Sequence, residues 1–313
     1  MSVALLDRQL LFVTGKGGVG KTSVAAAVAR LAAAEGRRTL VCEMDAKGAL
    51  ATALGTSGVG YQPVEVAPNL FAMSMHTEDS LREYLRVIAR IPIVGRLGPL
   101  ARTFDFVADA APGVKEILAV GKLCYEVRER HYDLVVVDAE ASGHVVAQLD
   151  APRVIRDLVR VGVIRDQTQW MLDILGDPRR TGLVAVATPE EMPVAETVEL
   201  VARVRSVTEV DVAAVLVNRM PSPWFAPADA DVLDHLGRPA ALAAVAAAVG
   251  ADDAATSAVL AAARSVAARR GAAMGHLDSL RAGLGRSVPM VILPEVQGPV
   301  VAGLSEALGA ELL

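Results

Sequence analysis

Gly15-Lys16-Gly17-Gly18-Val19-Gly20-Lys21-Thr22 is the stretch whose reading decides the fold. It fits the spacing G-x-x-x-x-G-K-[ST], a phosphate-binding loop, and both flanks agree with it. The apolar run Leu10-Leu11-Phe12-Val13 leads in as a strand, and an alanine-rich stretch from Thr22 to Glu35 leads out as a helix. Glycines at 15, 17, 18 and 20 let the backbone turn without a Cβ. Successive N–H groups can then converge on phosphate oxygens at the positive end of the following helix. Lys21 is placed to neutralise phosphate charge, and the Thr22 hydroxyl to ligate Mg²⁺ directly. Gly15 through Ser23 are therefore the expected nucleotide-phosphate-contacting segment.

Outward from this loop the chain alternates strand and helix patterns, which predicts a doubly wound, mostly parallel α/β sheet. Thr39 to Asp45 is an apolar strand ending in an acid, and ligands of such sheets gather at the carboxyl ends of strands. Asp45 there can order an attacking water or hold a Mg²⁺-bound water; capping the helix from Ala46 is the alternative role. His131 to Asp138 is a second, strongly β-branched strand ending in aspartate, and Asp138 is expected to face the same metal through water. Gly182 to Thr188 and Asp211 to Val217 read as further buried strands, the latter ending in Asn218-Arg219. Ser80 to Arg90 reads as a helix with capping-box spacing, and 91–111, broken by Pro92, Gly95, Gly98 and Pro99, as an irregular insertion. Ala111-Pro112-Gly113 starts a helix running to about Arg130. Ala228 to Arg286 reads as several helices broken at Gly237, Gly250 and Gly271. The expectation is one domain over 1–313, with helical insertions at 80–131 and 228–286.

Lys16 supplies a second lysine near the start of the loop, and the resulting Lys-Gly-Gly-x-Gly-Lys-Thr resembles the deviant phosphate-loop ATPases such as ParA, MinD, nitrogenase iron protein and ArsA. Asp138-Ala139-Glu140-Ala141-Ser142-Gly143-His144 is similar to the Asp-Thr-Ala-Pro-Thr-Gly-His segment of the ArsA and tail-anchored-protein-targeting ATPases. Thr188 to Thr197 is similar to that family's Pro-Glu-x-x-x-x-x-Glu-Thr helix start. Leu293 to Val296 resembles its last strand end and adenine loop. The resemblance implies a Mg²⁺-dependent ATPase completed by a second subunit, with Lys16 reaching the partner's phosphates and Lys16, Lys21 and Asp45 as catalytic residues. It further implies that Asn218, Pro294 and Glu295 meet the adenine, and that Asp138, Gly143 and His144 sense the γ-phosphate. Two departures stand out. The family's Asp-Pro-Ala-His is here Asp45-Ala46-Lys47-Gly48, and its Thr-Ala-Pro-Thr is Ala139-Glu140-Ala141-Ser142.

Composition narrows the partners. The formal charge is −5, and basic residues occur as scattered pairs such as Arg37-Arg38, Arg179-Arg180 and Arg269-Arg270, read as solvated helix faces. That balance argues against nucleic acid. The longest apolar run, Ala240 to Val249, is too short to span a bilayer, so no transmembrane segment is expected, only a peripheral membrane partner. Cys42 and Cys124 lack metal-ligand spacing and read as buried thiols of a cytoplasmic protein. Two isolated cysteines also cannot supply the thiolate cluster that arsenite would need. The expected assembly is a homodimer, or a heterodimer with a paralogous ATPase, handling an unidentified cargo. A ParA- or MinD-like positioning ATPase and a nucleotide-gated scaffold with little turnover are the competing readings.

Overall fold

The computed structural model describes residues 5–44, 47–75, 79, 114–158, 163–226 and 228–313. The expected helix at Ser80–Arg90, the 91–111 insertion, the Ala111-Pro112-Gly113 turn and the Asp45-Ala46 pair lie outside these residues.

The strands are β1 (Leu10–Gly15), β2 (Thr39–Glu43), β3 (Val64–Ala67), β4 (Leu70–Ser74), β5 (Leu134–Ala141), β6 (Thr181–Ala187), β7 (Val212–Met220) and β8 (Met290–Pro294). They form one sheet in the order β3-β4-β2-β5-β1-β6-β7-β8. Every neighbouring pair is parallel except β3 with β4. The helices are α1 (Lys21–Ala34), α2 (Ala49–Leu54), α3 (Val114–Arg128), α4 (Ser142–Leu158), α5 (Val163–Leu175), α6 (Glu191–Val207), α7 (Asp229–Leu236), α8 (Pro239–Val249), α9 (Asp253–Leu284) and α10 (Val300–Leu312).

Both sheet faces are covered, which is why β1, β6 and β7 read as continuous apolar runs rather than alternating ones. Leu11 and Val13 point into the core shared with α1 and α10, while Leu10 and Phe12 point to the opposite core under α3 to α6 and α9. In α1 the buried positions include Ala25, Ala26, Ala27, Ala29, Ala32 and Ala33. Side chains that small let the helix lie close on the sheet and leave its first turn fixed directly beyond the end of β1. Because the strands run parallel, Gly15, Glu43, Asp138, Ala187, Asn218 and Pro294 all fall on one rim.

Several boundaries differ from the sequence reading. β5 continues past Asp138 to Ala141, and α4 begins at Ser142, so Gly143 and His144 stand in its first turn. Asn218 lies within β7, which runs to Met220. Helix α9 passes through Gly271 unbroken for 32 residues. A helical glycine costs only about 1 kcal/mol, which the alanine- and arginine-rich flanks offset. The helix expected from Ala46 is α2, described from Ala49, while helix α5 and strand β3 were not anticipated.

The two edges of the sheet share a design. The outer strand β3 has four residues with Pro63 before and Pro68 after it, and β8 has five, with Pro289 before it and Pro294 as its last residue. Proline lacks the N–H needed to extend a ladder.

Candidate nucleotide site

The phosphate-binding loop emerges from β1 and ends in the first turn of α1. Gly17 and Gly18 are exposed at its tip while Val19 is buried beneath it. Gly20 caps α1 with φ 91°, a left-handed conformation that favours glycine. A Cβ there would also stand 2.6 Å from Asn218 Nδ2. Asn218 explains the closeness. Its buried amide nitrogen donates to the Val19 carbonyl at 2.9 Å, and its Oδ1 accepts from Arg219 N at 2.9 Å. Strand β7 thus braces the loop from below. Each end of the Asn218 amide keeps a second hydrogen-bonding direction, so this contact and the expected contact with a base are compatible.

Thr22 and Asp138, 116 residues apart, meet across the loop. The Thr22 hydroxyl donates to Asp138 Oδ2 at 2.6 Å, and Asp138 is itself buried. A hydroxyl and a carboxylate converging at the loop form a hard, oxygen-only donor set, which fits Mg²⁺. Lys21 Nζ donates to the Lys16 carbonyl at 3.3 Å, folded back over its own loop. Burial pushes the Lys21 ammonium below its ordinary range, against the pull of Asp138, and Lys47 adds to the lowering. Triphosphate oxygens would reverse that shift by supplying the opposite charge.

Lys16 is held within its own chain. Its Nζ lies 2.6 Å from Glu196 Oε1 on α6, with both side chains about one-third exposed (31% and 34%). Glu196 reads in the sequence only as part of a helix start, so this partner went unrecognised.

Glu43 was missed as well. It is 3% exposed at the end of β2, and its carboxylate accepts from Gly48 N, Ala49 N and Leu50 N at 2.8 to 3.3 Å. It therefore caps the start of α2. An acid inside the otherwise apolar Thr39–Glu43 run was the available signal.

Beyond Asp138, one β1 residue faces two on β5 between the pairs Val13–Asp138 and Gly15–Ala141. The extra residue re-aims Glu140, as bulges do. Its carbonyl accepts from the buried Thr14 hydroxyl at 2.8 Å, and its carboxylate accepts from Gln148 Nε2 at 2.9 Å. His144 Nδ1 lies 3.9 Å from the same carboxylate and its side chain is largely exposed. Gly143 is exposed beside it.

On the far side of the rim, Pro294 and Glu295 are exposed, and Glu295 N donates to the Met220 carbonyl at 2.9 Å, tying the end of β8 to the end of β7. Arg269 and Arg270 on α9 reach this same edge, Arg269 to the Glu295 carboxylate and Arg270 to the Pro221 carbonyl. The reading of this pair as a solvated helix face is corrected here: adjacent helical positions diverge by about 100°, so the two side chains engage two different loops.

A family model for anion-transporting ATPases matches residues 8–172, more than half of the chain, spanning the loop, Asp138 and His144. The chain belongs to that family. Among curated members, ATPase BagA of Mycobacterium tuberculosis is 30% identical over 222 residues, covering 67% of this chain and 65% of the relative. This chain therefore spans a little under two-thirds of that relative's length. ATPase GET3 of Podospora anserina is 24% identical over 259 residues, 70% of this chain and 76% of the relative. A putative arsenical pump-driving ATPase of Halobacterium salinarum is 24% identical over 238 residues, 69% of this chain and 36% of the relative. Of the expected site residues, the structure brings Gly15 to Ser23, Asp138 and Asn218 together around one loop and places Pro294 and Glu295 at the neighbouring strand end.

Proposed function

We propose that this chain hydrolyses ATP with Mg²⁺ at an interface between two copies, or between itself and a related chain, and uses the cycle to handle a cargo. The contact between Thr22 and Asp138 at the mouth of the phosphate loop carries the reading, because it joins a helix start and strand β5 into one oxygen-donor pair beside Lys21. Thr22 would hold the metal directly and Asp138 through water. The metal, when bound, would spread the negative charge of the β- and γ-phosphate oxygens. Backbone N–H groups of Gly17 to Thr22 would cradle the phosphates, Lys21 would neutralise them, and Asp45 would position the attacking water. Lys16 would leave Glu196 to reach the phosphates of the facing chain, a trans cation of a kind worth on the order of 10³-fold in phosphoryl transfer. Gly143 and His144, in the first turn of α4, would report loss of the γ-phosphate to that helix.

Complementation tests the shared site. Lys16→Ala and Lys21→Ala should each be inactive alone. Mixed, they should recover turnover, because one composite site then has an intact loop and a Lys16 from the other chain. If mixing restores nothing while the wild type turns over, Lys16 does not act across an interface of identical chains. A second reading, a nucleotide-gated scaffold, is favoured by one observation: the Lys16–Glu196 pair occupies the catalytic cation in the single chain. Equal, negligible single-turnover rates for wild type and Asp45→Asn would support the scaffold.

A further inference from the structure

We infer that Arg269 and Arg270 form a bracket that positions the base-contacting edge of the nucleotide site, making helix α9 part of the binding apparatus. The inference rests on the nucleotide reading above and adds residues that this reading does not use. Three contacts carry it. Arg269 pairs with the Glu295 carboxylate at the end of β8, and Arg270 donates to the Pro221 carbonyl just past the end of β7. Glu295 N in turn donates to the Met220 carbonyl at 2.9 Å. Two strand-end loops are thus joined to each other and to one helix.

The backbone around them needs such a tie. β7 and β8 lose regular register between Val217 and Met220, and Arg219 there adopts φ 58°, a left-handed conformation uncommon outside glycine. Asn218, one residue earlier, braces the phosphate loop through Val19. That brace is held by Asn218's own hydrogen bonds to Val19 and Arg219, so loosening Pro221 and Glu295 moves the base edge and leaves the loop supported. Helix α9 is a suitable anchor. It is 32 residues long, and Ala273, Leu277, Leu280 and Leu284 bury its C-terminal half in the main core. The arginines stand immediately before that buried stretch, where the helix is held.

The bracket acts on the nucleoside and not on the phosphates, so two probes separate it from the loop. Magnesium ATP engages both ends of the site; magnesium tripolyphosphate engages only the phosphate loop. Arg269→Met and Arg270→Met should each weaken ATP binding about two- to fivefold, the range for a half-exposed ion pair or a single hydrogen bond from a charged side chain, with tripolyphosphate affinity unchanged. Glu295→Gln removes the partner of Arg269 without touching the helix and should reproduce the Arg269→Met loss. Reversing the pair as Arg269→Glu with Glu295→Arg should recover affinity relative to Arg269→Glu alone. Arg281→Met, at an exposed α9 arginine paired with Asp278, should change neither probe. Equal losses for both probes, or unchanged ATP affinity in all three single variants, overturns the bracket alone. A wild-type chain that binds neither probe overturns the nucleotide reading and the bracket with it.

Discussion

Replacing Gly20 by alanine should damage the chain in a way that replacing Gly18 does not, although both have nearly the same φ, 91° and 88°. Each substitution forces an L side chain into left-handed backbone, at roughly 1–2 kcal/mol. At Gly18 nothing lies within 4 Å of the new Cβ, so the backbone term is the whole cost. At Gly20 the Cβ would stand 2.6 Å from Asn218 Nδ2, and Asn218 cannot step aside freely. It is 4% exposed and bonded to Val19 O and Arg219 N. Turning it away leaves a buried amide or carbonyl unsatisfied, about 1–3 kcal/mol more. Urea unfolding of the nucleotide-free chain should therefore rank wild type above Gly18→Ala and Gly18→Ala above Gly20→Ala. The double variant Gly20→Ala with Asn218→Ala should cost about 1–3 kcal/mol less than the sum of its single changes, because the second substitution removes the atom the first collides with. Additivity to within about 0.5 kcal/mol would refute the brace between β7 and the phosphate loop.

Three further outcomes are expected. Asp138→Asn should weaken the Mg²⁺ dependence of nucleotide binding about 10- to 100-fold, measured by titrating metal at fixed ATP, while leaving metal-free ATP affinity nearly unchanged. Glu126→Ala should lower stability by about 3–5 kcal/mol in denaturant titration, since the Lys122 ammonium, 2.6 Å away and 10% exposed, would lose this carboxylate inside the fold; ATP affinity should hold. Burial pushes the Cys124 thiol up to about 12 and raises Cys42 as well. Both thiols thus favour the fold below the ordinary thiol value of 9.0, and this contribution disappears as pH climbs from there toward about 12. Native protein should accordingly resist thiol alkylation at neutral pH, and Cys124→Ala should flatten the alkaline fall of the urea midpoint.

Much of the sheet was legible because its strands are buried on both faces: runs such as Leu134–Val137 and Leu183–Ala187 can be little else between turn residues. The phosphate loop was legible because its chemistry demands glycine and lysine at fixed spacing. What escaped were contacts made by ordinary residues at long range. Glu196 looks like a helix-start acid until α6 brings it to Lys16, and Arg269 and Arg270 look solvated until α9 lies across the ends of β7 and β8. Glu140 escaped for another reason. Strand periodicity puts it on the same face as Asp138, and only the extra residue opposite Thr14 turns it toward Gln148. Gly271 misled because a breaker's modest local cost was weighed without the favourable residues on either side.

The prolines at both margins of the sheet bear on how copies of this chain can meet. A mostly parallel sheet of eight strands with open margins would invite stacking of chain upon chain into ribbons, each new copy hydrogen-bonding to the last. Here Pro63, Pro68, Pro289 and Pro294 deny such growth a foothold at either side. In the proposed pairing of two chains, association would avoid the flanks and use the rim where the strands end, the geometry that a closed pair requires and an open fibre does not.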